Sequence, residues 1–178
     1  MKIIYMHHAE RNIGENHNDS ELRQLEDITE RGIKEAELLA ERLKNQNITA
    51  IVTAPYLRCR HTAEIINKYH NSPIVEDERF NEMNYGEEWK NLLKRNIEAI
   101  DDIVKTYNDD DTIICVTSGV NFSAFVCYFY NIEPTNDTPW SQAGDISPII
   151  FTSGKKMLDW EFNLFLYKLV SITTCRYI

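Results

Sequence analysis

The stretch Ile3-Ile4-Tyr5-Met6-His7-His8-Ala9-Glu10-Arg11 is an apolar run that ends abruptly in two histidines, a small residue and a charged pair. Read as a strand over Lys2 to Met6, it delivers His8 to the point where the chain turns away. Open α/β sheets bind their ligands at that carboxyl end. A neutral imidazole held there serves as nucleophile, base or metal ligand. The plainer reading is a hydrogen-bonded histidine closing a strand.

Outward from this stretch, strand-like and helix-like segments alternate. His7 to Asp27 is polar and rich in asparagine and reads as a loop. Thr29 has the character of an N-cap, and Ile33, Ala36, Ala40 and Leu43 recur at helical spacing as far as Asn45. Ile48 to Thr53 reads as a second strand. Pro55 is expected to open a helix that runs to Tyr69. Ile74-Val75 is a brief strand, and Phe80 to Glu88 is a loop. Trp89 to Tyr107 is amphipathic, with Leu92, Leu93, Ile97, Ile100 and Val104 on one face. Thr112 to Thr117 is the most apolar strand, fit for burial on both faces. Ser118-Gly119 turns into a helix through Tyr130, and Asn131 to Gly144 is a loop. Ser147 to Thr152 and Met157 to Phe162 read as a hairpin. The predicted fold is therefore α/β, a three-layer α/β/α sandwich with a mostly parallel central sheet and an antiparallel edge. At 178 residues, one domain over 1–178 is expected.

Composition narrows the partners. Hydrophobic residues make up 43% and charged residues 26%, ordinary for a globular protein. The net charge of -9 argues against nucleic acid or an anionic membrane as partner. It leaves room for a small phosphorylated ligand in a locally basic pocket. No apolar stretch reaches membrane-spanning length. Cys59, Cys115, Cys127 and Cys175 are scattered, without a CxxC pair, and Cys115 and Cys127 sit in apolar runs as buried free thiols would. A cytoplasmic location is expected.

Three strand-to-helix junctions carry the chemistry. The first holds His7, His8 and Arg11. The second holds Arg58, in the first turn of its helix. The third is Val116-Thr117-Ser118-Gly119-Val120, small residues opening another helix N-terminus. Free amides and partial positive charge at helix N-termini attract anions. An arginine beside them adds a forked, permanently charged clamp. A phosphate site with a histidine in its floor follows. A metal site built on His7, His8 and His17 is disfavoured, because neighbouring strand residues point to opposite sides. No metal and no cofactor are expected.

These junctions resemble the histidine phosphatase superfamily, the phosphoglycerate-mutase-like proteins. His8-Ala9-Glu10-Arg11 is similar to the family's Arg-His-Gly or Arg-His-Ala strand end. Ala54-Pro55-Tyr56-Leu57-Arg58-Cys59-Arg60-His61-Thr62-Ala63 is similar to its Ser-Pro-x-x-Arg-x-x-x-Thr-Ala block. Asn81-Glu82-Met83-Asn84-Tyr85-Gly86 resembles its acid loop, and Thr29-x-x-Gly32 matches a family helix start. The similarity runs in order from Lys2 to Val126. It implies a phosphoglycerate mutase-like fold and a metal-independent, histidine acid-type phosphatase acting on a small phosphorylated substrate. It implies that His8 attacks phosphorus and carries a phosphohistidine intermediate. Arg58 would bind the phosphoryl oxygens, and Glu82 would protonate the leaving alcohol and then activate water. His7, Arg11, Ser118 and Gly119 would complete the phosphate site. Two positions depart from the pattern. His7 stands where the family has arginine, and Ser118 where it has a second histidine. The implied activity is a phosphomonoester hydrolase, possible reduction of rate included; the alternative is a catalytically impaired member that binds a phosphorylated ligand or a protein. The hydrolase reading expects the ring of His8 to be accessible and the guanidinium of Arg58 to be aimed at it.

Overall fold

The computed structural model describes residues 1–14, 19–129, 132–135, 149–152 and 161–163. One six-stranded sheet has the order β3-β2-β4-β1-β5-β6. Its strands are β1 (Lys2–His7), β2 (Ala50–Thr53), β3 (Ile74–Glu76), β4 (Thr112–Thr117), β5 (Ile149–Thr152) and β6 (Glu161–Asn163). The first four pair in parallel. β5 runs antiparallel to β1, and β6 antiparallel to β5, so the edge hairpin is present, with β6 overlapping the predicted second strand at Glu161 and Phe162. Every residue of β1 and β4 after the first is buried, as parallel strands covered on both faces require.

The helices are α1 (Ser20–Gln24), α2 (Glu30–Leu43), α3 (Leu57–Ile66), α4 (Trp89–Thr106) and α5 (Gly119–Phe129). α2 packs with α3, and α4 with α5. Crossovers leave β1 toward one edge and β4 toward the other, so the strand order reverses between these two neighbours. That reversal opens a crevice at their carboxyl ends. His7 pairs with Thr117, which brings both ends level, and His8 N–H donates to Thr117 O at 2.9 Å. Among the described residues, no helix is long and apolar enough to cross a membrane.

Two packing details fix the turn after β1. Thr29 caps α2 by accepting from Gly32 N–H, and its own hydroxyl donates to Glu10 Oε1 at 2.8 Å. A Cβ on Gly32 would fall 2.3 Å from Glu10 O, so only glycine lets the helix start lie this close. From the other side, Ala9 N–H donates to Thr62 Oγ1, whose hydroxyl donates to Arg58 O within α3. The turn carrying His8 is thus clamped between α2 and α3.

Several predicted boundaries move. The expected loop from His7 to Asp27 contains α1, capped by the Asp19 carboxylate accepting from Glu21 and Leu22 N–H. Pro55 precedes the extended cap residue Tyr56 rather than opening α3, and α3 gives way at Asn67–Tyr69 to a 3₁₀ turn. α4 buries Leu92, Asn96, Ala99, Ile100 and Ile103, a face rotated from the predicted one toward a polar residue. His17, Cys175, residues 136–148 and the tail from 164 lie outside the described residues.

Candidate active site

The imidazole of His8 sits where β1 ends, with Nδ1 2.7 Å from Ala9 O. A carbonyl only accepts, so Nδ1 carries the proton and Nε2 keeps its lone pair. Two donors meet that lone pair. Arg58 Nε–H donates to His8 Nε2 at 3.1 Å, and His7 Nε2 lies 3.1 Å away as the second donor. His7 Nδ1 is then bare, and it has no hydrogen-bond partner among the described residues. The rings tilt at 60° with centroids 4.1 Å apart. The expectation that neighbouring histidines face apart fails here, because His8 lies past the end of the pleat where the backbone has already turned.

Both rings are neutral. Burial, then the charges of Arg58 and Arg11, drive the His7 pKa down to about 3. Burial first, then His7 and Arg58, holds His8 well below the ordinary histidine range. A neutral His8 with a free pair on Nε2 has the electronic form of a nucleophile.

Arg58 is fully buried and is the hub. Beyond His8, its Nη2 donates to Glu82 Oε2 at 3.1 Å and its Nη1 to Arg23 O at 2.8 Å. The guanidinium lies over the Tyr56 ring, 4.5 Å from the centroid. Arg23 Nε stands 3.5 Å from Glu82 Oε2, an ion pair without hydrogen-bond geometry. His8, His7, Arg58 and Glu82 are therefore brought together. The guanidinium is aimed at His8 as expected, but the ring is only 3% exposed. The expectation of an accessible ring is corrected: His8 is buried at the end of β1, and the Arg23 carbonyl from α1 takes up one donor of its partner Arg58.

The remaining predicted residues stand further out. Arg11 is paired with Glu26 at 2.6 Å, and its charge still bears on both histidines. Ser118 is fully buried and donates to Asn121 Oδ1 at 2.9 Å rather than to anything at His8. Gly119 is the first residue of α5, immediately after Ser118. Arg60 is half-exposed beside Glu76, and His61 bonds Asp27.

Sequence reading missed Arg23, Arg95 and Asn121. Arg23 was hidden in what read as loop. Asn121 sits in the nearly unbroken apolar run of α5, and such an isolated polar residue is the signal that a buried hydrogen-bond partner exists. Arg95 gave no signal, since an arginine on an amphipathic helix is usually solvated.

The chain is similar to known proteins in both sequence and fold. The family model "Histidine phosphatase superfamily (branch 1)" matches residues 8–93. A probable phosphoglycerate mutase GpmB from Photorhabdus laumondii is 38% identical over 73 residues, 41% of this chain and 32% of the relative. The chain thus matches about a third of the length of that relative. Among solved structures, Bacillus stearothermophilus YhfR aligns over 92% of this chain and 95% of its own, with TM-score 0.73 and 20% identity. A mycobacterial glucosyl-3-phosphoglycerate phosphatase aligns over 92% and 98%, with TM-score 0.70 and 14% identity. The matched sequence carries the β1 terminus, Arg58 and the Glu82 loop, the three pieces that meet in space. Residues 8–93 thus match the histidine phosphatase superfamily in sequence, and over most of its length the chain has the α/β fold of phosphoglycerate mutase-like proteins.

Proposed function

We propose that this chain is a phosphomonoester hydrolase working through a phosphohistidine at His8, without a metal, on a small phosphorylated substrate. One observation carries the reading: Arg58 bridges the lone pair of His8 and the carboxylate of Glu82. A phosphoryl group entering between them takes over the donors of Arg58 and His7, which frees the Nε2 pair for in-line attack. Splitting hydrolysis into two displacements lowers each barrier. Arg58, with Arg11 nearby and the amides of Gly119 at the α5 N-terminus, neutralises charge on the equatorial oxygens. Glu82, displaced from Arg58 by the incoming phosphoryl group, takes up a proton from solvent and gives it to the leaving oxygen. It then takes a proton from the water that attacks phosphohistidine, releasing phosphate. His7 supplies a hydrogen bond where the family has a fixed charge, and Ser118 is turned away. Both losses point to a lowered rate. Three buried unpaired thiols, Cys59, Cys115 and Cys127, fit a reducing cytoplasm.

The test is phosphate release from 4-nitrophenyl phosphate by wild type and His8→Ala. The expected loss is at least ~10³-fold, with an acid-labile phosphoryl group trapped on wild type alone. Equal background rates in both proteins sink the hydrolase reading.

A second reading, an impaired member that binds a phosphorylated ligand or protein, is favoured by the same burial. Arg58 spends its donors on protein groups, and His8 is buried. Saturable vanadate binding with no His8-dependent turnover would select it.

A further inference from the structure

The loop that carries Glu82 is held in an unusual way. Loop carbonyls normally face water. Here four successive ones, from residues 79 to 82, each accept from a side chain. Arg95 of α4 donates Nη1–H to Arg79 O and to Asn81 O, and Nη2–H to Glu82 O at 3.2 Å. Asn121 Nδ2 of α5 donates to Phe80 O and Asn81 O, each at 3.0 Å, and Thr117 Oγ1 of β4 donates to Phe80 O at 2.9 Å.

Arg95 also grips the far end of the same loop. Its Nε and Nη2 donate to the two carboxylate oxygens of Glu87, at 2.8 and 3.0 Å. Glu87 Oε2 in turn accepts from Asn84 N–H at 2.9 Å. Burial pushes the Glu87 carboxyl up, but Arg95 and the Asn84 amide outweigh it and hold it below its ordinary value, so the pair stays charged. Between the two ends, Gly86 turns with φ +78°, a conformation that glycine adopts without strain. One guanidinium therefore closes the loop from residue 79 to 87 into a ring, and all three of its nitrogens are spent doing so.

We infer that Arg95 is a positioning residue for Glu82, fixing the backbone from which that carboxyl reaches the phosphoryl leaving group. The inference rests on the proposed role of Glu82 as proton donor. Arg95 does not touch the substrate in this view, because its donors point into the loop. With the residue 82 carbonyl and its neighbours pinned, only the side-chain torsions of Glu82 stay free. Released, the carboxyl wanders, and a misplacement of about 1 Å can cost on the order of 10²-fold.

Leaving-group dependence separates positioning from plain stabilisation. A nitrophenolate departs with little proton assistance, whereas an alkoxide must be protonated as its bond to phosphorus breaks. The experiment measures kcat/KM of the full chain for 4-nitrophenyl phosphate and for glycerol 2-phosphate. This parameter reports the step that transfers phosphoryl to His8. The proteins are wild type, Glu82→Gln, Arg95→Met and Arg95→Lys, each checked for folding by thermal melt. Glu82→Gln is expected to lose at least ~10-fold more on the alkyl than on the aryl ester. Arg95→Met is expected to share that selectivity at smaller size. Arg95→Lys, one ammonium in place of a fork, should fall between Arg95→Met and wild type, and it decides the matter if Arg95→Met does not fold. Equal losses on both esters in the Arg95 variants, whatever the melting temperature, overturn the inference while leaving Glu82 in place. A Glu82→Gln variant without leaving-group selectivity overturns the role of Glu82, and this inference with it.

Discussion

The turns after β1 and β4 occupy equivalent places in the sheet and have come to opposite uses. They end level, His7 against Thr117, at the reversal of strand order. The β1 turn holds His8 at the mouth of the crevice, where His7 and, from α3, Arg58 converge on one nitrogen. The β4 turn sends Ser118 inward to Asn121, and Asn121 reaches on to the carbonyls of Phe80 and Asn81. One turn displays chemistry, and the other supports the loop that displays it. A position at the mouth of the crevice therefore does not make a residue part of the site. What the next helix offers as a partner decides which way its polar group points.

The β1 side is where electrostatic strain should be concentrated, and acid is the strongest way to expose it. An unfolded His7 takes up a proton near pH 6.5, whereas the folded residue resists until about pH 3. Between those values the unfolded state binds more protons, so stability falls as pH falls. From His7 alone the loss approaches about 5 kcal/mol at the acid end, and His8 adds in the same direction. Urea unfolding at pH 7 and pH 4 checks this, and His7→Gln should flatten the profile. An unchanged profile in that variant would place the sensitivity elsewhere.

Next in size is Arg58→Ala. It strips donors from His8 and Glu82 together and leaves Glu82 facing a void. A fall in stability of about 3 kcal/mol is expected, with turnover down on the order of 10²–10³-fold. Full activity would break the contrast between the turns from the β1 side.

Ser118→Ala is the smallest effect and the sharpest. It orphans the buried Asn121 Oδ1, which costs about 1–3 kcal/mol. KM for an aryl phosphate should hardly move, because the hydroxyl is spent on Asn121. A several-fold rise in KM at unchanged stability would return Ser118 to the phosphate site.

The sequence by itself determined most of the strand-helix order and the carboxyl-end placement of His8 and Arg58; Glu82 stood out only through the family resemblance, and the fold brings the three together. Hydrophobic periodicity and junction chemistry are local properties, and each motif is a contiguous run. It also showed that His7 and Ser118 depart from the family pattern. It did not show what they do instead. α1 was invisible because a five-residue helix held by one aspartate cap has no apolar period to read. Tertiary structure alone decided that His7 and His8 share one point, that the Arg23 carbonyl takes a donor of Arg58, and that Arg95 and Asn121 brace the acid loop. Those outcomes depend on contacts between residues far apart in the chain, where a buried polar group takes whatever partner the fold brings within reach, because leaving it unpaired costs more than turning it.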